Sequence, residues 1–193
     1  MGALLRAAYA TTQQTAVLAC AAFMPRDVSK GVDLIKRFEG IEDGDPTTAN
    51  LDPYICPGGY WTIGWGHAII DSNGRLIEGP PKKAAACAVY PQGISIADAQ
   101  VLLNDDVRKF SVGIENLVKV PVSDTRFCAL LSFAYNVGLG NLGSSTLLRL
   151  LNQGQTDAVP GQFLRWTRSK GKELEGLKRR RAAEADLWRS AAS

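Results

Sequence analysis

Apolar residues recur at helical spacing along most of the chain, beginning with the stretch between residues 29 and 40. Val32, Ile35 and Phe38 form an apolar stripe with three-residue spacing. Ser29 precedes the stripe as a candidate N-cap, and Gly40 follows it as a candidate C-terminal stop. The pattern therefore predicts an amphipathic helix that buries one face.

Three more helices are predicted in the second half of the chain. The longest begins at a capping box of Ser95 and Asp98. A second runs from a Ser123 cap to Gly138, and a short third covers residues 144–154. The long helix carries one apolar face, which is formed by Leu102, Leu103, Val107, Phe110, Ile114 and Leu117.

The helical period is lost between residues 40 and 95. Residues 42–53 form an acidic loop that carries two prolines. Tyr54–Cys56 and Tyr60–Gly64 are predicted to be two short strands of a hairpin that turns at the Pro-Gly-Gly of 57–59. Residues 68–93 are predicted to be irregular, with a turn at DSNGRL. The prediction is thus a mainly helical α+β fold, with a small β-hairpin lobe and a helical lobe joined by the long helix.

The first 27 residues are weakly apolar. An uncharged run between Arg6 and Arg26 is about long enough to cross a bilayer, but threonines and glutamines at 11–15 interrupt it. A helix packed on the domain is therefore favoured, and a secretion signal or a releasable anchor stays open. The predicted organisation is an N-terminal segment over 1–27 and one folded domain over 28–193.

The composition indicates an ordinary soluble globular protein. Of its 193 residues, 46% are hydrophobic and 21% are charged, and the net charge is only +3. So small a charge does not require a nucleic-acid partner. We expect a monomer that binds no nucleic acid.

Histidine and cysteine usage narrows the chemistry. His67 is the only histidine, so a metal site with two histidine ligands cannot be built, and carboxylates are the expected acid–base groups. The cysteines, Cys20, Cys56, Cys87 and Cys128, are dispersed without a CxxC pair, and the sequence does not choose among three full pairings. We expect neither a metal nor a cofactor.

Glu39 is the candidate acid. It lies on the last turn of the first predicted helix, beside the apolar stripe and just before the acidic loop and the hairpin. Partial shielding from water would favour the protonated form that a proton donor needs. A solvated carboxylate at a helix end is the alternative. Trp61 and Trp65 of the hairpin offer flat faces suited to sugar rings, although hairpin aromatics often belong to the core.

The FEG helix end, Tyr54 and the GGYWTIGWGH run resemble the amino-terminal half of the phage-type lysozymes, family 24 of the glycoside hydrolases. The FLRWTRSKGKELEGLKRRRAAE run resembles the carboxy-terminal signature of that family, so the resemblance covers about 28–188. It implies a catalytic trio of Glu39, Cys56 and Thr62, as in the subset of phage endolysins with cysteine at the second position. It also implies a lysozyme-like fold and these substrate-binding residues: Trp65, His67, Tyr135, Asn136 and Thr146.

Two features depart from the usual pattern of that family. The spacing from Glu39 to Cys56 is long, so the acidic loop is interpreted as an insertion that folds away from the cleft. A thiol that stays protonated near neutrality is also a poor general base. We therefore expect Thr62 to hold the attacking water, and the resemblance implies inversion at the anomeric carbon. Asp52 is the nearest carboxylate that could replace Cys56.

The resemblance implies an endolysin that hydrolyses the β-1,4 bond between N-acetylmuramic acid and N-acetylglucosamine during bacterial lysis. A lytic transglycosylase and an inactive wall-binding module are the alternatives. Such an enzyme would pass from the host cytoplasm to the periplasm and cell wall.

Membrane attachment and regulation are further implications. The resemblance permits a disulfide between Cys20 and Cys56 that keeps the enzyme inactive until thiol exchange. Transient membrane association could use the N-terminal segment or the basic run Lys178–Arg181. The simpler interpretation of that run is a helical turn supported by Glu184 at the i+4 position.

Overall fold

The computed structural model describes residues 26–56, 58–169 and 171–191. Within them the helices are α1 (Ser29–Glu39), α2 (Lys83–Val89), α3 (Ile96–Leu117), α4 (Asp124–Val137), α5 (Leu139–Ser144), α6 (Thr146–Asn152), α7 (Val159–Phe163) and α8 (Glu175–Ser190). The strands are β1 (Tyr54–Ile55), β2 (Trp61–Ile63), β3 (His67–Ala68), β4 (Arg168–Ser169) and β5 (Lys172–Glu173), and 3₁₀ turns occupy Pro80–Lys82 and Thr156–Ala158. The predicted mainly helical α+β class is confirmed.

Helix α4 is the centre of the core. Every residue from Phe127 to Ala134 is buried, so this helix is enclosed on all sides rather than on one face. Helices α1, α3, α5 and α8 pack around it. Gly31 allows α1 to approach closely, because a Cβ at this position would lie 3.1 Å from Leu131 Cδ2 and 3.2 Å from the Cys128 backbone.

The start of α1 differs from the prediction. Ser29 is the first helical residue rather than the cap, and Val28 at the N-cap makes no side-chain capping bond. Asp27 supplies the side-chain capping bond instead, because its Oδ1 accepts a hydrogen bond of 3.0 Å from the Ser29 amide. The apolar stripe is confirmed in part, because Ile35 is fully buried and Val32 packs against the core, whereas Phe38 is only half-buried.

Helix α3 joins the small sheet to the helical lobe, as predicted. The Ser95 hydroxyl accepts from the Asp98 amide at 3.1 Å, and the Asp98 carboxylate accepts from the Ser95 amide in return. Along its length α3 contacts β3, α4 and α5. The helix therefore fixes the sheet against the helices.

Strands β1, β2 and β3 form an antiparallel sheet in that order. Thr62 at the centre of β2 pairs with Tyr54 on one side and with Ala68 on the other. The predicted hairpin and the turn at 71–75 are confirmed, the latter by a bond of 2.8 Å from the Asp71 amide to the Arg75 carbonyl. The prediction that 68–93 is irregular is wrong, because the alanine-rich run KAAACAV forms α2.

The predicted N-terminal segment falls almost wholly outside the described residues. At its end, Arg26 pairs with Glu115 of α3 at 3.3 Å and with Asp124 of α4 at 3.1 Å. In the part of the chain that the structure describes, no helix combines the length and the apolar character needed to span a bilayer.

Candidate active site

Glu39 ends α1 and is held by an arginine from the far end of the chain. Its Oε1 lies 2.6 Å from Arg180 Nη1 of α8, and 22% of its side chain is exposed. Glu39 is therefore partly shielded from water, as expected, and it also belongs to an ion pair that the sequence did not indicate. The pair fixes the carboxylate in position and balances its charge.

The turn between β2 and β3 faces this carboxylate. Gly66 has a φ of 76°, and a Cβ built on it would lie 3.2 Å from Glu39 Oε2. Only glycine combines that backbone angle with so close an approach. At Gly66 the hairpin therefore presents only backbone to the Glu39 carboxylate.

Thr62 and Tyr54 form the hairpin side of the site. Thr62 is buried, with 4% exposed, and its Oγ1 lies 3.4 Å from the Tyr54 carbonyl oxygen. The Tyr54 phenol donates a long bond of 3.4 Å to the Gly64 carbonyl. Burial raises the pKa of Tyr54, and the nearby charges of Glu42 and Glu39 add to the rise. Tyr54 therefore lies close to the acid, although the sequence marked it only as part of a motif.

Cys56 closes the hairpin turn. Its amide donates to the Tyr60 carbonyl at 2.9 Å, and its carbonyl accepts from the Gly59 amide at 2.8 Å. The Cys56 residue is partly exposed, and no disulfide joins it to Cys87 or Cys128. Its predicted pairing with Cys20 lies outside the described residues.

The acidic loop is folded on itself. Leu51 forms an antiparallel bridge with Ile94, with two backbone bonds of 2.9 Å. The Asp52 carboxylate accepts from the Thr48 hydroxyl at 2.5 Å, and the Asp52 amide donates to Asp43 Oδ1 at 3.0 Å. Asp52 is thus engaged within the loop, while Cys56 sits on the hairpin.

His67 and Asp106 join the sheet to α3. His67 Nδ1 lies 2.7 Å from Asp106 Oδ2, and both side chains are largely buried. Asp106 is therefore a largely buried carboxylate rather than a solvated charge on α3. A ring engaged in this pair has one nitrogen left for substrate, so substrate binding by His67 stays a prediction.

Trp65 and Tyr135 lie together, with the Tyr135 hydroxyl donating to the Trp65 carbonyl at 2.8 Å. Burial strongly raises the pKa of Tyr135, so it stays neutral. The Trp65 ring is nearly buried and carries the Lys36 ammonium 4.6 Å from its centroid. Trp65 therefore belongs to the core, and its use as a sugar platform would require Lys36 to move.

The last two predicted substrate residues lie in different places. Asn136 ends α4 and is exposed, and its Oδ1 accepts from Arg181 Nη2. The Asn136 amide thus has a partner within the protein, and its substrate-binding role stays a prediction. Thr146 is exposed on the first turn of α6, and Ser145 is the cap, because its Oγ accepts from the Leu148 amide at 3.0 Å. No described contact joins Thr146 to Glu39.

The basic run at 178–181 turns half inward. Arg180 is 3% exposed and Arg181 is fully buried, whereas Lys178 pairs with Glu173 at 2.9 Å. Arg180 and Arg181 are therefore not available to a lipid surface, and membrane association through this run stays a prediction. Support by Glu184 is confirmed, since its Oε1 lies 3.3 Å from Arg180 Nε. The i+4 spacing was the only sequence signal for this network, and it did not reveal the burial.

One groove of the described residues lies apart from the predicted catalytic trio. A groove of about 670 Å³ opens between α1 and α3, lined by valines with Phe127 and polar side chains at its rim. None of the described residues that line it belongs to the predicted catalytic trio.

Comparisons with known proteins identify the family and the relatives of this chain. The family model described as phage lysozyme matches residues 36–184. The endolysin of Bacillus phage B103 is 40% identical over 159 residues, which is 82% of this chain and 52% of the relative. The chain thus spans about half the length of that relative. The SAR-endolysin of Enterobacteria phage P21 is 36% identical over 138 residues, which covers 70% of this chain and 74% of the relative.

The fold is shared with solved structures. The endolysin from Escherichia coli O157:H7 phage FAHEc1 superposes with a TM-score of 0.62 at 32% identity, over 83% of this chain and 90% of that chain. The matched family range includes Glu39, the hairpin and the buried arginines of α8. The chain belongs to the phage lysozyme family.

Proposed function

We propose that the protein is an endolysin that hydrolyses the β-1,4 bond between N-acetylmuramic acid and N-acetylglucosamine in bacterial peptidoglycan. The observation that carries this proposal is the Glu39 carboxylate, held by Arg180 and facing the bare backbone of Gly66. Membership of the phage lysozyme family supports the same substrate class.

The mechanism assigns a role to each member of the trio. Glycosidic cleavage needs an acid that protonates the leaving oxygen and a group that directs water to the anomeric carbon. Glu39 gives its proton to that oxygen as the C–O bond breaks. Water held by Thr62 then forms the new C–O bond from the opposite face, with inversion, and releases its proton to the solvent, or to Cys56 where Cys56 is a thiolate. Glu39 takes up a proton to complete the cycle.

Glu39→Gln tests the acid. The substitution keeps the shape of the side chain and removes the proton donor, so clearing of a purified wall suspension should fall by about 10²- to 10⁴-fold. Glu175→Gln is the matched control, because Glu175 lies on the exposed start of α8 with 74% of its side chain exposed. Clearing that survives Glu39→Gln would exclude Glu39 as the acid. Wall binding without clearing by the wild type would instead favour an inactive binding module.

A lytic transglycosylase is the second candidate, and the second catalytic position favours it. Cys56 provides no carboxylate there, and the Asp52 carboxylate is engaged by Thr48. One carboxylate suffices when a hydroxyl of the substrate itself attacks. Mass spectrometry of the digested wall separates the two reactions, because anhydro-muramic ends indicate the transglycosylase and reducing ends the hydrolase. NMR of the first-formed anomer tests inversion.

The second position can be tested directly. Cys56→Asp introduces a carboxylate at the hairpin turn, and clearing should rise if this position serves as base. Cys56→Ala should lower clearing, whereas Asp52→Asn should leave it unchanged. The opposite pattern, loss with Asp52→Asn only, would transfer the role to Asp52.

We also retain a releasable N-terminal anchor as part of the proposal, with Cys56 paired to Cys20 in the inactive form. The name SAR-endolysin of the phage P21 relative and the partly exposed position of Cys56 support it. Peptide mapping without reduction on membrane-bound and released protein tests the pairing. Cys56 that is unpaired in both fractions would remove it. In this proposal the protein is a monomer and acts on the cell wall from within the infected cell.

A further inference from the structure

We propose that Glu184 is a positioning residue. Through Arg180 and Arg181 it fixes the orientation of the Glu39 carboxylate and of the Asn136 amide. The proposal rests on the function proposed above and adds a residue that does not touch the substrate.

Glu184 is a fully buried carboxylate with a donor on each side. Its Oε1 accepts from Ser132 Oγ at 2.8 Å and from Arg180 Nε at 3.3 Å. Its Oε2 accepts from Arg181 Nη1 at 2.6 Å. A buried carboxylate is tolerated only with such partners. The consequence is that Glu184 fixes both guanidinium groups at once.

The Arg180 arm leads to the acid. Its Nε is bound by Glu184 and its Nη2 donates to the Ser132 carbonyl at 3.1 Å. Because the guanidinium is planar and rigid, these two bonds fix the direction of Nη1. Nη1 then holds Glu39 Oε1 at 2.6 Å. A displacement of Glu184 is therefore transmitted to the proton donor.

The Arg181 arm leads to the end of α4. Its Nε donates to the Trp166 carbonyl at 3.2 Å, and its guanidinium lies 4.8 Å from the centroid of the Phe133 ring. Its Nη2 donates to Asn136 Oδ1, which leaves the NH₂ of this exposed amide to donate to a ligand. Glu184 thus orients a group on the substrate side as well as the acid.

Charge balance explains why the effect should reach Glu39. The charged groups that face Glu184 are Arg180 and Arg181 of its own helix, and α4 contributes the neutral Ser132 hydroxyl. The negative charge of Glu39, on α1, balances the positive charge of Arg180. Without Glu184, two buried guanidinium groups would share one carboxylate, which would hold Glu39 in its ionised form and remove the proton it has to donate.

Other titratable groups also face Glu39. Tyr54 approaches from the hairpin and Tyr135 from α4, and both phenols stay neutral near pH 7 because burial raises the pKa of each. They leave the charge balance among Glu39, Glu184 and the two arginines unchanged across the pH range of the test.

Glu184→Gln is the principal test, read on purified peptidoglycan with the full chain. We expect kcat to fall at least tenfold and the basic limb of the kcat profile to move to lower pH. Ser132→Ala weakens one bond to Glu184 and should shift the limb in the same direction by less. Asp186→Asn on the same helix, with 74% of its side chain exposed, is the control that should change neither.

A double variant separates the two arms. Arg181→Met combined with Glu184→Gln removes one cation and one anion, so the Arg180–Glu39 pair regains its balance while Asn136 loses its partner. The pH limb should return towards the wild-type position, and KM should rise. A merely structural role predicts neither the return of the limb nor the rise in KM.

A measurement without turnover keeps this proposal distinct from the proposed function. The ¹³C resonance of the Glu39 carboxyl gives its titration midpoint directly, and we expect the midpoint to fall in Glu184→Gln. A shifted midpoint in a protein that does not clear walls would support the positioning role and reject the function. An unchanged midpoint and pH limb in folded Glu184→Gln would overturn the positioning role. If that variant does not fold, unchanged values in Ser132→Ala overturn it instead.

Discussion

Gly66→Ala tests whether the hairpin turn must lack a side chain at residue 66 for the Glu39 carboxylate to keep its position. Gly66 has a φ of 76°, and alanine in this left-handed region costs about 1–2 kcal/mol of folding free energy. The added Cβ would also lie 3.2 Å from Glu39 Oε2, so the carboxylate has to move by a few tenths of an ångström. Since a misplacement of about 1 Å can cost about 100-fold in rate, we expect kcat to fall by about tenfold.

Gly74→Ala is the matched control for this substitution. Gly74 has nearly the same φ, 75°, but a Cβ there meets no atom within 4 Å. Urea unfolding should therefore show a similar loss of stability in both variants, whereas wall clearing per folded molecule should fall only in Gly66→Ala. Equal clearing by the two variants would refute the close approach of the hairpin to Glu39.

Three further predictions concern stability and thiol chemistry. Asp106→Asn removes the charged partner of the largely buried His67, so the free energy of unfolding should fall by about 1.5–3 kcal/mol, measured by urea titration, with the more exposed Asp105→Asn as a control that stays within about 0.5 kcal/mol. Leu130→Ala opens a cavity at a fully buried position of α4 and should cost about 2–5 kcal/mol in the same titration. Burial raises the pKa of the Cys128 thiol, so Cys128 should resist iodoacetamide at pH 8 until the protein unfolds. The partly exposed Cys56 of the reduced protein should react in the folded state. Mass spectrometry follows the labelling of each thiol, and equal rates for the two would contradict this prediction.

The sequence determined those features that depend on neighbours in the chain. The capping box at Ser95 and Asp98 and the cap at Ser123 fix helix starts, because the bonds that form them span only three residues. The hairpin could likewise be predicted from its Pro-Gly-Gly turn and the short runs on either side. Helix α2 was missed because two prolines masked an alanine-rich run that begins directly after them.

The candidate site could be predicted only as a set of residues. Glu39 was indicated by its place at the helix end as well as by motif resemblance, whereas Cys56 and Thr62 came from the resemblance alone. The chemical roles of all three stay predictions. The structure adds Tyr54 beside the acid and the arginines behind it, which the sequence separates from Glu39 by more than half of the chain. The sequence suggested Trp65 as a flat face for a sugar ring, but the Lys36 ammonium group lies over that ring in the structure.

What the sequence alone determined is therefore the longer helices, the hairpin and the family motifs, since these follow from local hydrogen bonding and residue pattern. Only the tertiary structure decided which charges are buried. A run of four basic residues is compatible with a solvated helix face. Arg180 and Arg181 point inward because they form ion pairs with the carboxylates of Glu39 and Glu184. Glu184 lies on the same helix, but Glu39 reaches Arg180 only after α1 and α8 have packed on α4. Long-range pairing of this kind leaves no periodic signal in the chain, because its free energy arises from desolvation and contact between distant segments.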